Sequence, residues 1–215
     1  MSPIRDDVEA ILRHHDEHDW QVQGFGMLRT YLPGEAEPRL QVWDQRLATW
    51  GNNAIHDHPW KFRSTIIAGR IYNQRYKIDA LCPDCGERGG EAKFGCPHGS
   101  FLPNGHVTEI KPGTRGGLLS SRPVHPCRIT PEPLEVYAMG DSYEQTHREM
   151  HLTRYAQGTV TLIERFGREE SDIARVAWYG EPDAQPPFVN PYAPNSDEIK
   201  RTIHSALDSW FAVVR

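Results

Sequence analysis

The 215-residue chain has no apolar run near the roughly 18 residues that a membrane-spanning helix needs, which argues against a helical membrane protein. It also lacks any block of like charge. The 24 Lys and Arg are interspersed with 29 Asp and Glu, which speaks against nucleic acid or a membrane surface as partner. The opening residues, MSPIRDDVEAILRHHDEHDW, contain no apolar signal core, so the expected location is the cytoplasm. Cysteine is scarce, with four residues in all, and three of them, Cys82, Cys85 and Cys96, sit close together in sequence. In a reducing compartment such a cluster points to metal ligands rather than disulfides.

What the chain has in quantity is punctuation. With 18 Gly and 17 Pro, its apolar residues fall into short runs such as FGMLRTYL, LQVWDQRLATW, STIIAGRIYNQRY, LEVYAM, TVTLIERF and ARVAWYG. Short runs between turn signals predict the strands of one all-β domain, a barrel or sandwich from about Trp20 to Gly180. Helices are expected only at the two ends. Ser2 and Pro3 read as N-cap and N1 of a helix to about His18, with Ile4, Val8, Ile11 and Leu12 on one face. Ser196 reads as the cap of a second helix to about residue 214, with Ile199, Ile203, Leu207, Trp210 and Val214 sharing a face. The proline-rich segment from Pro182 to Asn195 reads as an extended connection.

Chemistry concentrates in two places, and the first is AIHDHPWKFRSTIIAG. In an extended chain residues i and i+2 share a face, so His56 and His58 direct both imidazoles to one side and Asp57 to the other. Two convergent imidazoles are half a metal site. The competing reading is a pair of polar turn residues. The second place is CPDCGERGGEAKFGCPHG, where Cys82 and Cys85 form a knuckle-like pair and Cys96 with His98 offers a second pair. Four such ligands suit tetrahedral zinc. A Gly-rich segment with almost no aliphatic residues gains order from a bound metal that it cannot gain from burial. The reading is a zinc-ribbon-like insertion over residues 81 to 99, with Cys127 as an alternative to His98 for the fourth ligand.

Gly51, His56, His58 and Gly69 resemble the first motif of the cupin family, in which glycine precedes H-x-H and a second glycine closes the following strand. The family's second motif is matched by Gly140 and His151, with Thr146, Arg148 and Tyr155 standing where proline, glycine and asparagine are usual. His147 competes with His151 for the role of third ligand. The stretch HDHPWKFRSTIIAG is similar to a group of small cupins with an H-x-H-P-W motif. More distantly, the pattern resembles the thiol dioxygenases. Phe62 stands where the family usually carries a ligating glutamate.

The resemblance implies a cupin jelly-roll barrel with ferrous iron or another divalent metal held by three histidines. In the thiol dioxygenases such a centre oxidises a thiol to a sulfinate. On that basis the expected function is a non-haem iron oxygenase acting on a small anionic metabolite, with a thiol among the candidates. Arg29, Arg63, Arg70 and Tyr76 are the candidates to orient the substrate. The alternative is a ligand-binding or regulatory cupin with a structural zinc insertion. Cupins often pair through their sheets, so the resemblance makes a homodimer one candidate state, with the oligomeric state left open by the sequence.

Overall fold

The computed structural model describes residues 3–33, 38–48, 55–80, 103–112, 118–121, 124–168, 173–184 and 193–212. Helix α1 (Pro3–Arg13) is followed by a single 3-10 turn, His15–Glu17. The strands are β1 (Gln21–Gln23), β2 (Phe25–Tyr31), β3 (Arg39–Ala48), β4 (Ile55–His56), β5 (Trp60–Ala68), β6 (Arg70–Ala80) and β7 (Gly105–Pro112). They continue with β8 (Leu118–Ser121), β9 (His125–Ala138), β10 (Ser142–Gln145), β11 (Met150–Tyr155), β12 (Val160–Arg168) and β13 (Ala174–Tyr179). Helix α2 (Ser196–Ala212) is the last described element. The expectation of an all-β domain with a helix at each end holds. Among the described residues no helix is long and apolar enough to cross a membrane.

The strands form two antiparallel sheets. The first has the order β1-β2-β3-β12-β5-β10 and the second β13-β4-β11-β6-β9-β7-β8. An additional pairing of β13 with β7, from Ala174 opposite Ile110 to Tyr179 opposite Gly105, rolls six strands of the second sheet into a closed barrel. Closure leaves those strands no free edge, which removes a template for edge-to-edge aggregation.

Alternation along each strand sorts the core. In β2 and β3, Leu28, Leu40 and Val42 join Val8 and Leu12 of α1 and Ile203 and Ala206 of α2 in one apolar cluster on the outer face of the first sheet. The intervening residues Met27 and Trp43 face the other way and pack with Phe62, Ile66, Ile71, Tyr143 and Tyr155 between the sheets. A third cluster, with Ile55, Val107, Ile129, Met150 and Leu152, packs the second sheet on the opposite side of its strands. Each fully buried aliphatic or aromatic side chain here contributes about 1.5–3 kcal/mol, so the three clusters, not the helix propensities, carry the fold.

The ends differ from expectation in detail. The cap of α2 is Asn195 rather than Ser196: its Oδ1 accepts from the Glu198 amide at 2.9 Å while Glu198 Oε2 accepts from the Asn195 amide at 3.0 Å, a reciprocal capping box. Asparagine and serine both serve as caps, and the glutamate three residues on decides between them. Ser2, the expected cap of α1, lies outside the described residues, as does the expected zinc insertion at 81–99 with Cys82, Cys85, Cys96 and His98. In sequence this segment falls between β6 and β7. Gly51 also lies outside the described residues.

Candidate metal centre

His56 ends the two-residue strand β4, where it sits directly opposite His151 of β11 and Val176 of β13. Cross-strand partners stand on one face with Cβ atoms about 4.5–5.5 Å apart, so the register alone brings two imidazoles together. The third comes from beyond the strand. Pro59 has no N–H to continue the ladder and holds the preceding residue, His58, in extended conformation. The strand therefore stops while its side-chain alternation carries on.

A buried circuit fixes that irregular backbone. Asp57, facing away from the histidines as alternation requires, is fully buried and receives the Arg175 amide N–H at 2.6 Å and the Arg175 Nε at 2.6 Å. The Asp57 amide in turn donates to the Arg175 carbonyl at 3.1 Å. Arg175 Nη2 donates to the Arg148 carbonyl at 2.7 Å, and the Arg148 amide donates to the His58 carbonyl at 3.2 Å. Arg148 adopts φ +65°, left-handed backbone that a side chain rarely takes.

His56, His58 and His151 converge, each offering a ring nitrogen within 4.8 Å of the others. Their ring centres are 4.9 Å apart for His56 and His58, 4.7 Å for His56 and His151, and 5.2 Å for His58 and His151. Aromatic rings hold them in place. Phe25 stacks on His56 at 4.6 Å, Trp60 stacks on His58 at 5.0 Å, and Phe62 stands edge-on to His58 at 5.5 Å. Among the described residues no carboxylate joins the group, so the Phe62 position is apolar as the sequence indicates.

The electrostatics keep two of the rings, His58 and His151, neutral. Burial, reinforced by His56, pushes His151 down to about 3 against the opposing pull of the Glu149 carbonyl. Burial also holds His58 well below its ordinary value, with His56, His151 and Arg39 adding to the effect. Neutral imidazole is the form that binds metal, so His58 and His151 have their lone pairs available before a cation arrives. The tautomer of His151 is set as well: its Nδ1–H donates to the Glu149 carbonyl at 3.2 Å, which leaves the Nε2 lone pair for a ligand. A backbone-anchored ring of this kind is the usual support of a metal-binding histidine. The three residues can hold a divalent metal, and a coordination shell at about 2.0–2.1 Å per nitrogen needs only a modest contraction of the group.

The remaining candidates are dispersed. His147 lies in the turn between β10 and β11 and is outside the converging group. Arg29 is 7% exposed and points from β2 into the space between the sheets. Arg63, next to inward-facing Phe62, is exposed on the opposite face and paired with Glu144 at 2.8 Å. Arg70 is exposed just past the β5–β6 turn, at the end of β5 remote from His58, a separation of roughly 25 Å along a nine-residue strand. Tyr76 packs in the third apolar cluster, on the side of β6 opposite the histidines. Neither Arg63, Arg70 nor Tyr76 reaches the triad. Cys127 is fully buried in that same cluster, where burial pushes its thiol up to about 11.

Sequence reasoning passed over Arg39, Arg165 and Arg175. Arg39 and Arg165 lie near strand ends, where an arginine ordinarily reaches water. Their phase was available, since Arg39 is in step with Trp43 and Arg165 with Ile163, both inward. No protein-family model and no curated protein matches the chain. Fold and site together define a class: an all-β barrel protein with a buried three-histidine group able to hold a metal.

Proposed function

We propose that the chain is a cupin whose His56, His58 and His151 hold a divalent iron, and that it acts as an oxygenase on a small anionic metabolite. The observation that carries this reading is the convergence of three imidazoles from β4, the segment after it and β11, with an aromatic ring in place of a carboxylate. A neutral three-histidine set leaves the charge of a divalent cation uncompensated, which favours completion of the shell by an anionic ligand. Bound there, iron supplies redox chemistry toward dioxygen and Lewis acidity toward the substrate. The chain's own residues do the rest: Phe25, Trp60 and Phe62 wall the rings from water, and Arg29 offers a cation for an anionic substrate.

A structural zinc in the insertion belongs to the same proposal, with His98 favoured over Cys127 because a buried thiol in an apolar cluster resists ionisation. The experiment is reconstitution of chelator-treated protein with ferrous iron under anaerobic conditions, followed by elemental analysis and oxygen-uptake assays against small thiols and other anionic metabolites. The expected result is one iron per barrel, lost in His56→Ala and retained in Cys82→Ala, with uptake on a subset of substrates. Iron content unchanged by His56→Ala overturns the assignment of the site, and absence of uptake across the panel overturns the activity.

A further inference from the structure

We propose that Gln145, oriented by Asn73, is a positioning residue of the candidate metal centre, holding the carbonyl that fixes the His151 ring. The inference rests on reading the three histidines as metal ligands, and it assigns a role to two buried amides that act only through His151.

Gln145 is the last residue of β10 and stands opposite Phe62 of β5, so it belongs to the first sheet while His151 belongs to the second. Its side chain crosses between them. Nε2 donates to the Glu149 carbonyl at 3.3 Å, the same oxygen that accepts from His151 Nδ1–H at 3.2 Å. At the other end of the amide, Oε1 accepts from Asn73 Nδ2 at 3.3 Å. Asn73 lies on β6, opposite Thr153 of β11 and Glu135 of β9. Both amides are fully buried.

The direction of every bond in this chain is fixed. A carbonyl only accepts, so Gln145 turns Nε2 toward Glu149 and Oε1 toward Asn73. Asn73 then meets an acceptor on each side, Gln145 Oε1 and, at 3.4 Å, Glu135 Oε2, and turns Nδ2 to both. Its own Oδ1 is left buried without a partner. An orphaned buried acceptor lowers stability, and apolar side chains of the same shape at 73 and 145 would avoid that loss. A network kept at such a cost serves the site rather than the fold. What it secures is the backbone two residues before His151, directly after the turn that contains left-handed Arg148. The Glu149 carboxylate accepts from the Thr146 amide at 2.8 Å, so the side chain ties the turn while Gln145 ties the carbonyl. A carbonyl held from a second direction keeps its lone pair on Nδ1–H and leaves Nε2 free to ligate.

The test compares Gln145→Met, an apolar side chain of similar volume, with Thr202→Val, which removes a buried hydrogen bond on the outer face of the first sheet. Imidazole nitrogen spectra of the metal-free full chain should show His151 as a single Nδ1–H tautomer in the parent and as a mixture in Gln145→Met. Zinc affinity, read by competition with a chelator, should fall about tenfold or more in Gln145→Met. Asn73→Leu, which removes the group that orients the amide, should move both readouts in the same direction by a smaller factor. Thr202→Val should lower the melting temperature and leave both readouts as in the parent. Circular dichroism checks folding, and Asn73→Leu carries the comparison if Gln145→Met does not fold. An unmixed Nδ1–H signal in the folded variant, or zinc affinity equal to that of the parent, overturns the proposal. The spectra need no metal, so they judge the positioning role separately from the iron content and oxygen uptake that judge the oxygenase reading.

Discussion

At the scale of single residues, the site depends on groups that touch no ligand. Asp57 is enclosed between two histidines in sequence yet points away from them, and its ion pair with Arg175 is the anchor of the segment that carries His58. Removing one partner of a fully buried pair costs about 3–5 kcal/mol, because the other charge is left behind, but Arg175 is 31% exposed and can turn toward water. Asp57→Ala is therefore expected to lower stability by less, about 1–3 kcal/mol, in denaturant melts. The milder Asp57→Asn should fold and bind iron or zinc 10- to 100-fold more weakly in competition with a chelator, the usual penalty for losing a residue that orients a metal ligand. Arg63→Gln, which breaks an exposed pair, should leave stability almost unchanged. Metal affinity of Asp57→Asn equal to that of the parent protein would refute the anchoring role. The H-x-H spacing made the two imidazoles and the opposed Asp57 legible in the sequence. Arg175 was not, because a contact across 118 residues depends on which strands become neighbours.

At the scale of elements, two glycines of the motif do different work. Gly69, in the β5–β6 turn, has φ +79°, and a Cβ there would stand 2.5 Å from Thr159 Oγ1 and 2.8 Å from Thr159 Cα. That hydroxyl accepts from the Arg70 amide at 3.0 Å and donates to the Ala156 carbonyl at 2.7 Å, so it cannot move without breaking the turn. Gly140 has φ +93°, and a Cβ there would meet nothing within 4 Å. Gly140→Ala is therefore expected to cost only the backbone strain, about 1–2 kcal/mol. Gly69→Ala should cost that plus the clash, a drop in melting temperature clearly larger than for Gly140→Ala, and equal drops would contradict this account. Both turn positions were legible because glycine marks positive φ. Arg148 was not: it occupies a place where the resemblance leads one to expect glycine, yet its backbone keeps the left-handed turn at φ +65°. The tertiary contacts of the segment, including Arg148 Nη1 donating to the Ile173 carbonyl at 2.6 Å, hold it there in place of local preference.

At the scale of the whole molecule, hydrophobic alternation disclosed that the chain is all-β with a helix at each end, but not that β7 and β13 close a barrel, since pairings between distant strands leave no periodic trace. What binds α2 to the first sheet is also hidden in sequence. Thr202 donates its hydroxyl to Asp44 Oδ2 at 3.0 Å, and Arg46 Nη2 reaches the same oxygen at 2.6 Å. Burial alone would raise the Asp44 carboxyl, but hydrogen bonds from the Arg46 side chain and amide, Gln157 and Thr202 prevail and hold it at about 2. A carboxyl depressed from 3.8 stabilises the fold above that value, and the stabilisation, about 2 kcal/mol, is lost as pH falls from about 4 to 2. His151 acts in a separate window. With its folded value near 3 against 6.5 when unfolded, the metal-free protein is most stable above pH 6.5 and loses stability as pH falls from there toward 3, where only the unfolded chain takes up the proton. Thermal melts of metal-free protein across pH should show both losses. Asp44→Asn should flatten the lower window, and His151→Gln should make the upper one shallower, with buried His58 supplying what slope is left. If His151→Gln instead leaves the slope between pH 6.5 and 4 untouched, the buried imidazoles are not held neutral, and the argument that the site stands ready for a cation fails with them.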